Sequence, residues 1–136
     1  VVLGVGTDVL TVQRMRDVLD TDDGSFVAKV FTATEREEAA SRADPMLYFV
    51  TRFAGKEAVF KCLGTGEDVR LNEIEIRAAD TGQPFVALSG GALRIASALG
   101  IRSWCLSLSS ESDVAVAFAV AQSESPNRRE REDGTA

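Results

Sequence analysis

Glu57 and Lys61 stand four residues apart in the longest regular segment of the chain, which runs from Asp44-Pro45 to Leu63. Taking about 100° of rotation per residue, Val50 falls about 20° from Glu57, Phe53 about −40°, Ala54 about +60° and Phe60 about −60°. A carboxylate therefore projects from the middle of an apolar stripe, with a lysine following on the same face. An unpaired buried charge is very costly, so Glu57 needs a partner or a metal. One reading is a plain Glu57–Lys61 ion pair at the edge of the stripe, helping the helix modestly. The other is a charged site, with Arg52 and Lys56 close by in sequence. Asp8, in Gly4-Val-Gly6-Thr-Asp8, is a second candidate carboxylate. Glycines there let the backbone approach another element or a ligand. Asp8 also suits a turn or a cap for a following helix. Gly-x-Gly alone is a weak signal, and the dinucleotide fingerprint fails for want of its third glycine. Together, Asp8 and Glu57 would offer two hard oxygen ligands of the kind that hold magnesium. Lys61, Arg52 and Lys56 could then neutralise phosphate oxygens.

What the chain lacks narrows the chemistry further. Its 136 residues include no histidine. That excludes imidazole bases, Ser-His-Asp and Cys-His nucleophile pairs, and almost every catalytic zinc site. The net charge is -6 and neither half is basic, which disfavours binding to long nucleic acids. A small anionic ligand remains compatible, because a local cluster can act against the net charge. Cys62 and Cys105 sit in separate apolar segments and read as reduced and buried, as in a cytosolic protein. The longest apolar run, around Val114–Ala121, is too short to span a bilayer. The first residues lack the positive flank of a signal peptide and read as a strand.

The elements that must position these residues can be read in outline. Val1–Val5 reads as a buried strand ending in a loop near Thr7-Asp8. Thr11 can cap a helix through about Leu19, with Val12, Met15, Val18 and Leu19 at helical spacing. Asp20–Gly24 is a loop, and Phe26–Phe31 gives another helical turn or two. Thr34-Glu35-Arg36-Glu37 has the look of a capping box opening a short helix. Pro45 suits the first position of the long helix and Gly64 its left-handed cap. Strands are expected over Leu71–Arg77 and Phe85–Leu88, then a short helix over Gly90–Leu99. A hairpin of Ser103–Ser109 with Val114–Ala121 follows. Residues 1–122 read as one domain and residues 123–136 as a disordered polar tail. The order of elements is not a βαβ alternation. It favours an α+β fold, a small antiparallel sheet packed on a long central helix and shorter helices.

Several blocks together resemble the holo-acyl-carrier-protein synthases, the small phosphopantetheinyl transferases. They are Gly4-Val-Gly-Thr-Asp8, Arg52-Phe-Ala-Gly-Lys-Glu57-Ala-Val-Phe-Lys61-Cys-Leu-Gly-Thr-Gly66, Gly82-Gln-Pro84 and Ser107-Leu-Ser-Ser-Glu111, in family order from Val1 to about Ala121. The resemblance implies magnesium-dependent transfer of phosphopantetheine from coenzyme A to a serine of apo acyl carrier protein, with release of adenosine 3',5'-bisphosphate. It also implies a cytoplasmic place in fatty acid biosynthesis, and a homotrimer with active sites between subunits. By resemblance Asp8 and Glu57 hold the metal, and Lys61 balances charge on the leaving phosphate. Arg52, the Gly64-Thr65-Gly66 turn, Pro84, Ser109 and Ser110 line the coenzyme A site. Arg14 and Arg16 meet the acidic carrier protein. One departure stands out: the family usually has a histidine in the last hairpin where this chain has Ser110. The proton of the carrier serine must then pass to Glu57, to water on the magnesium, or to solvent; a water shared by magnesium and Glu57 is the favoured route. Two other readings are a non-catalytic coenzyme A or nucleotide-binding module of the same fold, and a small structural or interaction domain.

Overall fold

A computed structural model describes residues 1–64 and 69–124 of the chain. Strand β1 (Val2–Thr11) passes directly into helix α1 (Val12–Asp20), followed by α2 (Ser25–Val30), α3 (Ala33–Ser41) and the long α4 (Pro45–Leu63). A single 3-10 turn, Leu71–Glu73, leads into β2 (Ile74–Ala78) and β3 (Pro84–Leu88). Helix α5 (Gly90–Ala98) and the hairpin β4 (Ser103–Glu111) and β5 (Val114–Gln122) complete the order. The fold is α+β as expected, but the strands form two antiparallel sheets, β1-β5-β4 and β2-β3.

Helix α4 is the axis around which the rest is laid. Asp44 caps it, its carboxylate accepting from Leu47 N at 3.1 Å, and Pro45 fills the first turn, where no N–H partner is needed. Gly64 ends it at φ +83°, a conformation that side chains resist. Its inner residues Ala54, Ala58 and Val59 are fully buried. They face β5, whose alternate residues Ala115, Ala117, Ala119 and Ala121 are also fully buried. Small residues on both surfaces let helix and sheet approach closely.

Strand β1 is longer than expected and does not end at Asp8. It continues to Thr11, with Asp8 paired to Ala117 of β5 in mid-strand. The glycines did not mark a turn; they clear a path for β1 across α4. Gly4, Gly6, Asp8 and Leu10 lie on the inward side of the pleat, and the other face is open, with Val5 and Val9 exposed. Thr11 caps α1 as expected, accepting from Arg14 N at 3.1 Å.

The box that opens α3 sits two residues earlier than Thr34. Thr32 accepts from Glu35 N at 3.2 Å, and Glu35 returns the bond to Thr32 N at 2.9 Å. Glu35 is also half of a buried ion pair. Its other oxygen accepts from Ile76 N at 2.9 Å, and Lys56 Nζ lies 2.6 Å from its first. Lys56 is fully buried, and its remaining protons go to the carbonyls of Leu71 (3.0 Å) and Ile74. Burial pushes the Lys56 pKa down, and Glu35 opposes that shift. Lys56 is therefore not available to phosphate oxygens, contrary to expectation. Leu71–Glu73 is a turn and not the start of β2, because Leu71 and Ile74 must direct their carbonyls at this ammonium. Cys105 is exposed, not buried; it and buried Cys62 are both free thiols.

Candidate active site

The close crossing of β1 over α4 assembles the site. A Cβ on Gly6 would lie 1.8 Å from the Ala58 carbonyl oxygen, and one on Gly4 would lie 2.9 Å from that of Cys62. Two residues along the strand thus match four along the helix, running in opposite directions. Asp8, two residues past Gly6 on the same face, falls beside the turn that carries Glu57. Lys61 belongs to the next turn, and helical side chains lean toward the N-terminus, so its ammonium reaches back. Lys61 Nζ donates to the Thr7 carbonyl at 2.7 Å and meets Asp8 Oδ1 at 3.4 Å. Of the two readings of Glu57 and Lys61, the plain ion pair between them is not formed; Lys61 meets Asp8 instead.

Asp8, Glu57 and Lys61 line one cavity of about 390 Å³ with Arg14 at its rim. Leu10, Met15, Val18, Phe26 and Phe53 form its apolar wall. Glu57 is half-buried against this wall. Burial pushes its pKa above the usual carboxylate range, the Asp8 carboxylate adds to the rise, and Lys61 opposes it. The two carboxylates thus repel each other across a cavity with a lysine held against only one of them. That arrangement suits a hard divalent cation. Among the described residues no group of three or more His, Cys, Asp and Glu side chains gathers as a metal site, so a metal here would rest on the Asp8–Glu57 pair. Arg16 is exposed on α1 and does not line the cavity.

The other expected ligand residues lie elsewhere. Arg52 and Ser110 share a second cleft of about 310 Å³ with Arg42, Tyr48 and Thr51. Two guanidinium groups lie over the Tyr48 ring, Arg52 at 4.6 Å and Arg42 at 5.5 Å from its centroid. Tyr48 is only 4% exposed, yet its hydroxyl and the Arg52 Nε have no partner among the described residues. Burial pushes the Tyr48 hydroxyl up to about 12, so it stays a donor. Arg42 and Arg52 bring positive charge to this cleft, offset in part by Glu38, which lies 3.6 Å from Arg42, and by Asp44 in the lining. Arg42 and Tyr48 were missed from the sequence, where an arginine before the long helix and an aromatic within it carry no special spacing. Pro84 lines a third cleft of about 210 Å³ with Gln83, Phe85, Trp104 and Cys105. The three clefts share no lining residue. Ser109 is exposed on β4, Gly64 ends α4, and Thr65 and Gly66 lie outside the described residues, as do residues 125–136. A further concavity, of about 580 Å³, lies by Arg70, Glu73 and Arg94. There the Glu73 carboxylate is engaged in capping, accepting from Arg70 N and Ala92 N.

Two carboxylates and a lysine gathered on one cavity, and two arginines in a separate cleft, are chemically suited to phosphate-bearing groups. The chain belongs to the 4'-phosphopantetheinyl transferase superfamily, whose family model matches residues 4–119. Within it, the chain groups with the holo-[acyl-carrier-protein] synthases. It is 41% identical over 129 residues to that protein of Desulforudis audaxviator, covering 94% of this chain and 98% of the relative. The crystal structure of the Neisseria meningitidis synthase matches with a TM-score of 0.84 at 29% identity, over 90% of this chain and 99% of that one. The Bacillus anthracis synthase, solved in complex with coenzyme A (3',5'-ADP), matches with a TM-score of 0.75 at 29% identity, over 90% and 98%. Among the described residues no helix is long and apolar enough to cross a membrane.

Proposed function

We propose that this chain transfers the 4'-phosphopantetheine group of coenzyme A to a serine hydroxyl of an apo acyl carrier protein, in the cytoplasm and for fatty acid biosynthesis. The observation that carries this reading is the convergence of Asp8, Glu57 and Lys61 on one cavity. Asp8 and Glu57 would hold magnesium, which when bound would neutralise the pyrophosphate oxygens of coenzyme A. The serine oxygen forms a new bond to the phosphorus next to pantetheine, and the bond from that phosphorus to adenosine 3',5'-bisphosphate breaks. Glu57, which lines the cavity, would take up the serine proton directly or through a bound water. Lys61, pre-oriented by the Thr7 carbonyl, would balance charge on the departing phosphate. Arg42, Arg52, Tyr48 and Ser110 would receive the nucleotide phosphates, and the serine can donate a hydrogen bond where the family's histidine could also carry charge. Arg14, at the cavity rim, and Arg16 would meet the acidic carrier, while the apolar wall takes its uncharged surface.

A homotrimer fits the same reading. The outer face of the β1-β5-β4 sheet exposes Val5, Val9, Val116 and Phe118, an apolar surface that a second copy could cover. Subunit contacts would also bring together clefts that a single chain keeps apart. Incubating a purified apo carrier protein with coenzyme A, magnesium and this protein should raise the carrier's mass by one phosphopantetheine arm. Coenzyme A binding without that mass gain would favour a non-catalytic module. Lys61→Ala should lower kcat by about 10² or more with little change in melting temperature, since its contacts are largely exposed. A near-wild-type kcat would remove Lys61 from the charge-balancing role.

A further inference from the structure

We propose that the buried Lys56–Glu35 pair positions Glu57 by fixing the rotation of α4 about its own axis; this rests on the function proposed above. Toward β1 and β5 the helix presents small side chains, Ala54 and Ala58, with Ala58 directly under Gly6, while Val50, Val59 and Leu63 pack into the core on either side. Apolar packing of this kind is non-directional. Lys56 adds bonds of fixed direction. Its three N–H groups have three acceptors: Glu35 Oε1 and the carbonyls of Leu71 and Ile74. Glu35 is tied in turn to Thr32 N and Ile76 N. One ammonium on α4 is therefore held by the N-terminus of α3, the 3-10 turn and the start of β2. Both side chains are fully buried, so turning the helix breaks these bonds with no solvent at hand to replace them.

Glu57 is the next residue, about 100° further round the helix. With side chains reaching about 5–6 Å from the axis, a rotation of about 10° displaces a group there by roughly 1 Å. A displacement of that size can cost about 10²-fold in rate. Stability alone does not call for the pair, because apolar residues of similar volume commonly serve as well.

The test uses two variants of the full chain. Glu35→Gln with Lys56→Met removes both charges and keeps an acceptor for the α3 cap. Glu35→Asp keeps both charges but shortens the reach by one methylene, and serves if the first variant does not fold. In each folded variant kcat should fall about 10- to 100-fold while KM for coenzyme A stays within about twofold. The magnesium concentration needed for half of the magnesium-induced rise in melting temperature should increase several-fold. A purely structural pair would lower the melting temperature and leave both kcat and that midpoint at wild-type values below the melt, and this result overturns the proposal. If the wild-type chain modifies no carrier protein, the transfer reading has failed, and the magnesium midpoint alone then decides the role of the pair.

Discussion

Glu57→Gln is expected to lower turnover by about 10³-fold or more and, in metal-free buffer near neutral pH, to raise the melting temperature. The two effects share one cause. Burial against Phe26 and Phe53, together with Asp8, makes the ionised Glu57 unfavourable in the folded chain and pushes its pKa up. A carboxyl with a raised folded-state pKa contributes stability below its unfolded value of about 4.3 and loses it as pH rises through the folded value. Above that window the charged side chain costs stability, and glutamine removes the cost. The difference between variant and wild type should therefore shrink toward zero below about pH 4. Asp8→Asn should lose turnover to a similar extent without the gain in stability, because Asp8 already has Lys61 beside it. Melts at pH 4 and pH 8 beside the carrier-protein assay check both. A Glu57→Gln protein that melts earlier than wild type at pH 8 would make Glu57 a structural residue.

Gly6→Ala is expected to disrupt the site without touching a charged group. Its Cβ would lie 1.8 Å from the Ala58 carbonyl oxygen, which is backbone and has little freedom to yield. Strand β1 must then lift from α4, and Asp8 moves with it. Overpacking of this kind costs about 1–3 kcal/mol, sometimes more, and the displaced carboxylate should lose about 10²-fold or more in kcat. Thermal melts and the transfer assay read the two effects separately. Wild-type kcat in this variant would mean that the crossing of β1 and α4 does not set the position of Asp8.

Much of this architecture was legible in the residues. Helical periodicity with Thr11, Pro45 and Gly64 placed α1 and α4 closely, because caps and breakers act locally. Alternation placed the β4-β5 hairpin for the same reason. Asp8 was misread as lying in a loop because Gly-x-Gly-x-Asp looks like a turn when its neighbour is unknown. The glycines answer to a helix fifty residues away, and nothing local reports that. Periodicity drew attention to Glu57 as the charge within the stripe, yet the fully buried charge is its neighbour Lys56. A helix covered on nearly all sides has no single apolar face, so a lysine satisfied by distant carbonyls looks like any solvated lysine. Arg42 and Tyr48 were invisible because stacking across a cleft leaves no regular spacing.

The crossing of β1 over α4 works as a vernier. Two strand residues advance about 6.7 Å and four helix residues about 6.0 Å, so the two scales drift by under an ångström per mark and agree only over a short stretch. The marks at Gly4 and Gly6 carry the coincidence forward to Asp8. Inserting one residue between Gly6 and Asp8 would reverse the parity of the pleat and turn the acid outward. One extra residue between Glu57 and Lys61 would swing the ammonium by about 100°. Residue count along these two short stretches is thus held as tightly as the identity of the charged groups themselves.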